Sequence, residues 1–449
     1  MKFPEKPPSS NLRFETEEGD LFLKVISNHT LFAKLIELDK TYPYWEDFKY
    51  KIKEDTTPQV TQEFLWKIVK RGRARTEQHL AISSLPTFFF KFNLTNPTLQ
   101  RLHEFDLNLG GILEGANIIP SEDKNRYLIS SIMEEAIASS QLEGAATTRE
   151  IAKEMLRTQR KPRDHSEKMI LNNYLTIQKI LELKNQQLTS EMLLDIHKVI
   201  SNGTLDNPNN ESQFRSTNNV HVTDNITGDI FYTPPDFASV NQLIESFCQF
   251  ANEKNDEKKF IHPIVRATIL HFLIGYIHPF ADGNGRTARA IFYWYLLSRG
   301  YWLMEYMSIS RIIIKSPAQY ARAYLHTEYD ENDLTYFINY QVKAMDLAFK
   351  SLKEYISRKI KEKKNTFNLI RAEGINERQA LILQDVFYDP HRSITIKSVE
   401  DRFNVVYQTA RTDLLNLEKR QYLVSKFVGK KLLFFAANNL DQLMKWILK

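Results

Sequence analysis

Apolar residues recur along most of this chain at helical spacing, and short β-prone runs interrupt the pattern near position 225 and again close to the C-terminal end. Residues 1 to about 90 carry Phe, Leu and Trp at helical intervals and read as mainly helical. Residues 128–142 predict a helix that stops at Gly144, and residues 169–183 predict a long amphipathic one. The run from Ile264 to Ile277 is apolar at helical spacing and reads as a buried helix. Pro279 cannot continue it, because its ring clashes with the preceding turn and it has no N–H to donate. The chain must turn through Gly283, resume as helix at Asn284 or Gly285, and stop near Gly300.

The interruptions have a form of their own. Residues 219–223 and 230–233 are β-prone and flank a Gly-containing turn, which predicts a hairpin. A long helix after Tyr340 runs into the charged stretch Arg358-Lys359-Ile360-Lys361-Glu362-Lys363-Lys364, which reads as a solvated linker. The tail then predicts a helix at 377–388, a β-prone run at 393–396, and helices at 397–403 and 407–420. A hairpin of 422–428 and 431–435 follows, turning at Gly429-Lys430.

Composition adds little to this picture. A length of 449 residues suggests about three domains. The divisions expected here are 1–90, 91–187, 188–345, a linker helix at 346–370, and 371–449. The net charge of +5 is too small to imply nucleic acid by itself, and the basic knot from Lys70 to Arg75 reads as solvated surface. A single cysteine, Cys248, excludes an internal disulfide framework and fits a reducing compartment. The polar first twenty residues lack the apolar core of a secretory leader, and no apolar run is long enough to span a membrane. A cytoplasmic protein without a membrane partner is the expectation.

The chemistry concentrates in one place. His278-Pro279-Phe280-Ala281-Asp282-Gly283-Asn284-Gly285-Arg286-Thr287-Ala288-Arg289 puts an imidazole, a carboxylate, two glycines and two arginines at the predicted turn. Free N–H groups at a helix N-terminus favour an anion. Gly283 and Gly285 let backbone approach a phosphate, and Arg286 and Arg289 lie three apart on one helical face. Guanidinium forks suit phosphate oxygens. Asp282 is a ligand type that Mg²⁺ accepts beside phosphate, and a neutral His278 takes a proton near pH 7. Together these residues describe a phosphate site with a base beside it.

At every fixed position the twelve residues match the Fic motif: His, Pro-Phe, a free residue, Asp or Glu, Gly-Asn-Gly-Arg, two free residues, Arg. The chain therefore resembles the Fic (Fido) family, strongly over the motif and its two flanking helices and more loosely over residues 100 to 345. The resemblance implies a mainly α fold: a Fic/Fido helical core with a β-hairpin flap, and a C-terminal winged helix-turn-helix module of the kind often fused behind such cores. It implies a protein adenylyltransferase that moves AMP from ATP to a Tyr, Thr or Ser hydroxyl of a target protein, the chain itself included. By position, His278 would be the general base and Asp282 would hold Mg²⁺. Gly283, Asn284 and Gly285 would form the anion hole, and Thr287 and Ala288 complete the nucleotide-binding stretch. Arg286 would meet the phosphates, and Arg289 the γ-phosphate. Gly285 stands where the kinases of the superfamily carry Lys, which favours nucleotidyl transfer over phosphorylation.

Upstream, Ser139-Ser140-Gln141-Leu142-Glu143-Gly144 resembles the family's inhibitory helix. Ser139, Glu143 and Gly144 are its signature positions, and Glu143 would compete with the γ-phosphate for Arg289. Some relatives also use this Glu to remove AMP from targets. Ile230, Phe231, Tyr232 and Thr233 resemble the flap that positions the target, an exposed edge suited to strand addition. In the tail, Gln408, Thr409, Arg411 and Thr412 fall early on the would-be recognition helix, with Lys426, Lys430 and Lys431 on the wing. Such modules bind DNA, bind proteins or form homodimers, and the residues do not choose among these. A DNA-binding regulator with a nucleotide-sensing core is the alternative to the enzyme. A toxin with a separate antitoxin fits less well, because the inhibitory segment is on board.

Overall fold

A computed structural model of the chain describes residues 3–11, 17–82, 88–110, 124–223, 228–253, 260–388, 393–428 and 431–437. It divides into two compact units, Met1–Leu352 and Lys353–Lys449. The first opens with four helices, α1 (Glu17–Ser27), α2 (His29–Asp39), α3 (Trp45–Lys51) and α4 (Gln62–Arg73), then a hairpin of β1 (Gln78–Ala81) and β2 (Phe89–Phe92). Helices α5 (Asn96–Leu109), α6 (Lys124–Leu142), α7 (Arg149–Thr158), α8 (His165–Leu183) and α9 (Ser190–Ser201) follow. A second hairpin, β3 (Val222–Thr223) with β4 (Ile230–Tyr232), precedes α10 (Val240–Asn252), α11 (Pro263–Ile277), α12 (Asn284–Ser298), α13 (Ser310–Ile313) and α14 (Pro317–Tyr329). Helix α15 (Thr335–Glu373) contains the division between the units. Among the described residues no helix is long and apolar enough to cross a membrane.

The centre of the first unit is α12, packed by α6, α8, α9 and α11. Helix α11 begins at Pro263, behind a His262 ring nitrogen that accepts from the Ile264 N–H at 3.2 Å. Nearly every side chain from Ile264 to Ile277 is buried, so the helix is apolar all round, as a core helix must be. It ends at His278 in the left-handed conformation (φ +50°), where Pro279 closes off any further turn. Gly283, at φ +84°, then starts α12 in a conformation that glycine adopts freely.

The amino-terminal region differs from the pattern in two respects. Its aromatic run forms a hairpin rather than helix, because buried Phe90 and Phe92 alternate with exposed Phe89 and half-buried Lys91. The basic knot is solvated surface only in part: Arg71 and Arg75 are exposed, but the other two cations are not. Lys70 and Arg73, three apart on α4, are 3% and 2% exposed. Lys70 reaches Asp330 at 2.9 Å and Arg73 reaches Asp39 at 2.8 Å. The apolar core around Trp45, Phe48 and Trp66 includes Tyr336, so these helices share a core with the start of α15.

The second unit contains α16 (Glu377–Tyr388), α17 (Ile396–Phe403), α18 (Tyr407–Lys419), β5 (Leu423–Val428) and β6 (Lys431–Ala436). A capping box of Thr395 and Ser398 starts α17. The two strands pair antiparallel, and an isolated bridge joins Ile394 to Phe434. One core, including Leu383, Val386, Leu414, Leu417 and Phe434, lies beneath them. The hairpin turn at Gly429 and Lys430 lies outside the described residues.

Candidate active site

The loop between α11 and α12 is closed by its own side chains. The Asn284 amide accepts from the Phe280 N–H at 3.0 Å and donates to the Phe280 carbonyl at 2.8 Å. Asn284 therefore shapes the loop with its side chain and leaves any anion to the backbone. No side chain caps α12, so its first-turn N–H groups lack protein acceptors in the way an anion site needs.

His278 lies over this end. Its Nδ1 is 3.1 Å from the Gly275 carbonyl oxygen, which can only accept, so Nδ1 carries the proton and Nε2 remains a free acceptor. Burial lowers the imidazole's pKa, opposed by the Gly275 bond and by Glu143, and this favours the neutral ring a base requires. Asp282 accepts from the Gly283 N–H at 2.6 Å and from Arg286 at 3.2 Å, yet its side chain stays 56% exposed. A half-open carboxylate beside free backbone donors fits Mg²⁺, which takes one or two carboxylates and completes its shell with phosphate oxygens and water. Among the described residues no group of three or more His, Cys, Asp or Glu side chains forms an all-protein cation cage.

The two motif arginines separate in role. Arg286 is wholly buried, and its other terminal nitrogen donates to the Ile200 carbonyl at 3.2 Å. Burial lowers its pKa against the opposing charge of Asp282. Thr287 and Ala288 are buried in the helix behind the loop. Arg289 points to α6, where Nε donates to the Ser139 hydroxyl at 2.8 Å and a terminal nitrogen to Glu143 at 2.7 Å. Burial is the largest influence on Arg289 and lowers its pKa, but Glu143 and its neighbours outweigh it and hold the value above normal. A Cβ at Gly285 would lie 2.2 Å from the Glu143 carboxylate, so the bare glycine makes room for the contact. Gly144, at φ +95°, turns the chain away directly after Glu143. One turn earlier on the same face, α6 is fixed by Glu135, which accepts from the hydroxyls of Tyr293 at 3.0 Å and Ser308 at 2.9 Å and from the Ser310 N–H at 3.0 Å.

The hairpin is short. Val222 pairs with Tyr232 and Thr223 with Ile230, and Thr233 falls just beyond the strand. The Tyr232 hydroxyl donates to the Tyr276 carbonyl at 2.9 Å, two residues from His278, while Ile230 is exposed. Phe231 meets the ring of Phe3 edge-on at 4.8 Å. The turn at 224–227 lies outside the described residues.

Two residues that the pattern did not single out support the loop. His197 stacks on Phe280 at 3.8 Å, and its Nε2 donates to the Asp282 carbonyl at 2.9 Å. Burial depresses its pKa to about 4. Arg215 donates from Nε to the His278 carbonyl at 2.9 Å. Its sequence signal was slight: one arginine in the polar stretch of 212–219.

Residues 187–296 match the Fic/DOC family. A protein adenylyltransferase Fic of Nematostella vectensis is 30% identical over 139 residues, 31% of this chain and 30% of that protein. One of Culex quinquefasciatus is 34% identical over 119 residues, 26% of this chain and 21% of that protein. The matched stretch thus spans less than a third of either relative. The crystal structure of a Fic family protein from Desulfovibrio desulfuricans G20 matches 76% of this chain and 94% of its own at 17% identity, with a TM-score of 0.46. On the motif and the family match, residues 187–296 form a domain of the Fic/DOC family.

Proposed function

We propose that this chain is a self-inhibited protein adenylyltransferase that transfers AMP from ATP to a Tyr, Thr or Ser hydroxyl of a protein. The observation that carries the reading is His278, its Nδ1 tied to Gly275 and its Nε2 free, beside the uncapped start of α12. Nε2 takes the proton of the target hydroxyl. The oxygen then bonds to the α-phosphorus, the bond to the bridging oxygen breaks, and pyrophosphate leaves. Asp282 is the carboxylate that would hold Mg²⁺, which supplies charge against the phosphates when bound. Backbone N–H groups of the α12 first turn receive phosphate oxygens. Arg289 is the γ-phosphate partner, and Glu143 occupies it from within. The same Glu143 is the group that would position a hydrolytic water if the chain also removes AMP.

The test uses Glu143→Gly with Mg²⁺ and ATP labelled at either the α- or the γ-phosphate. Label from the α-position on protein, absent in Glu143→Gly/His278→Ala, supports the reading. Label from the γ-position, or none from either, overturns it.

A second reading, a DNA-binding regulator with a nucleotide-sensing core, draws on α18. Tyr407, Gln408, Arg411 and Thr412 are exposed on its first turns, while Ala410, Asp413 and Leu414 face the core. A face open at those positions suits groove contacts. A DNA shift assay whose affinity falls steeply with salt supports it, and no shift at low salt removes it.

A further inference from the structure

We infer that Arg215 is a positioning residue that sets the register between the flap and the base. The inference rests on the transfer reading above. Arg215 is 7% exposed, and each of its four side-chain bonds ends on a neutral oxygen. Nε donates to the His278 carbonyl at 2.9 Å. One terminal nitrogen donates to the Thr217 carbonyl and the Asn218 side chain, both at 3.2 Å, where the chain enters the hairpin. The other donates to the Pro235 carbonyl, where the chain leaves it. The Arg215 backbone N–H adds a bond to the Pro279 carbonyl at 2.8 Å. A single guanidinium thus ties both ends of the flap to the residue that carries the base.

The backbone explains why such a tie is needed. His278 sits at φ +50°, a left-handed conformation that a residue with a Cβ holds only when its surroundings impose it. Arg215 grips the carbonyls of His278 and of Pro279, the two that follow this φ, and so holds the chain in it. Among the described residues the flap strands contribute two paired positions of their own, too few to hold a register unaided. A target chain lying on the flap would therefore meet Nε2 at a distance that Arg215 fixes. Lysine cannot replace it, because a single ammonium does not span three directions in a plane.

The experiment compares Glu143→Gly, Glu143→Gly/Arg215→Lys and Glu143→Gly/Arg266→Lys in the full chain. Arg266 is a control of the same kind, buried and bonded to the Phe250 and Glu253 carbonyls at the far end of α11. The Arg215 variant should lose roughly 100-fold in kcat for AMP transfer, the scale of an ångström-sized misplacement. Its KM for ATP should stay within about threefold, since the nucleotide contacts are untouched. Amide exchange of residues 228–233 should accelerate by about tenfold or more, and the Arg266 variant should show neither the kcat loss nor the faster exchange. A kcat within threefold of Glu143→Gly, or equal flap exchange in the two arginine variants, overturns the inference. If Glu143→Gly itself transfers no AMP, the transfer reading fails, and exchange alone decides whether Arg215 holds the flap.

Discussion

Two buried arginines serve the same site, and they are held in opposite ways. Arg289 is 4% exposed and ends on a carboxylate, Glu143, whose side chain is 27% exposed. Arg215 is 7% exposed and ends on main-chain carbonyls and one amide. The first contact can be exchanged: a phosphate carries the same charge, and the Glu143 side chain has solvent to rotate into. The second cannot be exchanged without moving the backbone. Burial alone does not distinguish a switch from a fixture; the charge and freedom of the acceptor do. The pKa directions follow the same division, since Glu143 helps hold Arg289 above its usual value while burial brings Arg215 below it.

The sharpest way to break this comparison is to remove what both arginines serve. His278→Ala in the Glu143→Gly chain should lower AMP transfer by roughly 10²–10⁴-fold while ATP binding, followed by calorimetry, persists. Loss of binding along with transfer would show that His278 shapes the loop rather than acting as its base.

The next largest effect concerns a buried cation whose acceptors have no solvent to turn into. Lys70 meets Asp330 at 2.9 Å and Asp333 at 3.6 Å, and all three side chains are at most 4% exposed. Lys70→Ala leaves two buried carboxylates without the ammonium they share and should destabilise the chain by about 3–5 kcal/mol in chemical denaturation. A change under about 1 kcal/mol would place that pair with surface contacts.

A smaller effect comes from pH. The pKa of His197 is depressed in the fold to about 4, below its unfolded value. Its contribution is therefore present above about pH 6.5 and is lost as pH falls towards 4, amounting to no more than roughly 3 kcal/mol. His197→Phe keeps an aromatic ring against Phe280 but does not titrate, so its stability should vary less between pH 7 and pH 4.5 than that of the parent chain. Equal slopes would remove His197 from the account.

What was legible in the sequence was what lies close together in it. His278, Asp282, Gly283 and Arg289 fall within twelve positions, and Pro279 marks the turn between them. Ser139 and Glu143 are one helical turn apart and were readable as a pair, although their contact with Arg289 spans about 150 positions. Arg215 and His197 were not readable, because each is a single residue whose hydrogen bonds go mainly to backbone carbonyls, which leave no trace in a sequence. The buried Lys70 and Arg73 were missed for a related reason: their acceptors Asp330 and Asp39 lie far away along the chain. The aromatic hairpin of β1 and β2 was hidden because Phe and Leu suit either helical or alternating burial. The helices of the second unit were readable nearly to their ends, since its short amphipathic stretches are punctuated by caps and turns.

The central claim is that Glu143 keeps Arg289 from the nucleotide. Its most direct test is the rate at which α-labelled ATP modifies protein in the parent chain and in Glu143→Gly, at one Mg²⁺ concentration and matched folded protein. A charge-assisted contact worth roughly 1.5–3 kcal/mol predicts a rise of about tenfold to a hundredfold on its removal. Equal rates in the two chains would contradict the account.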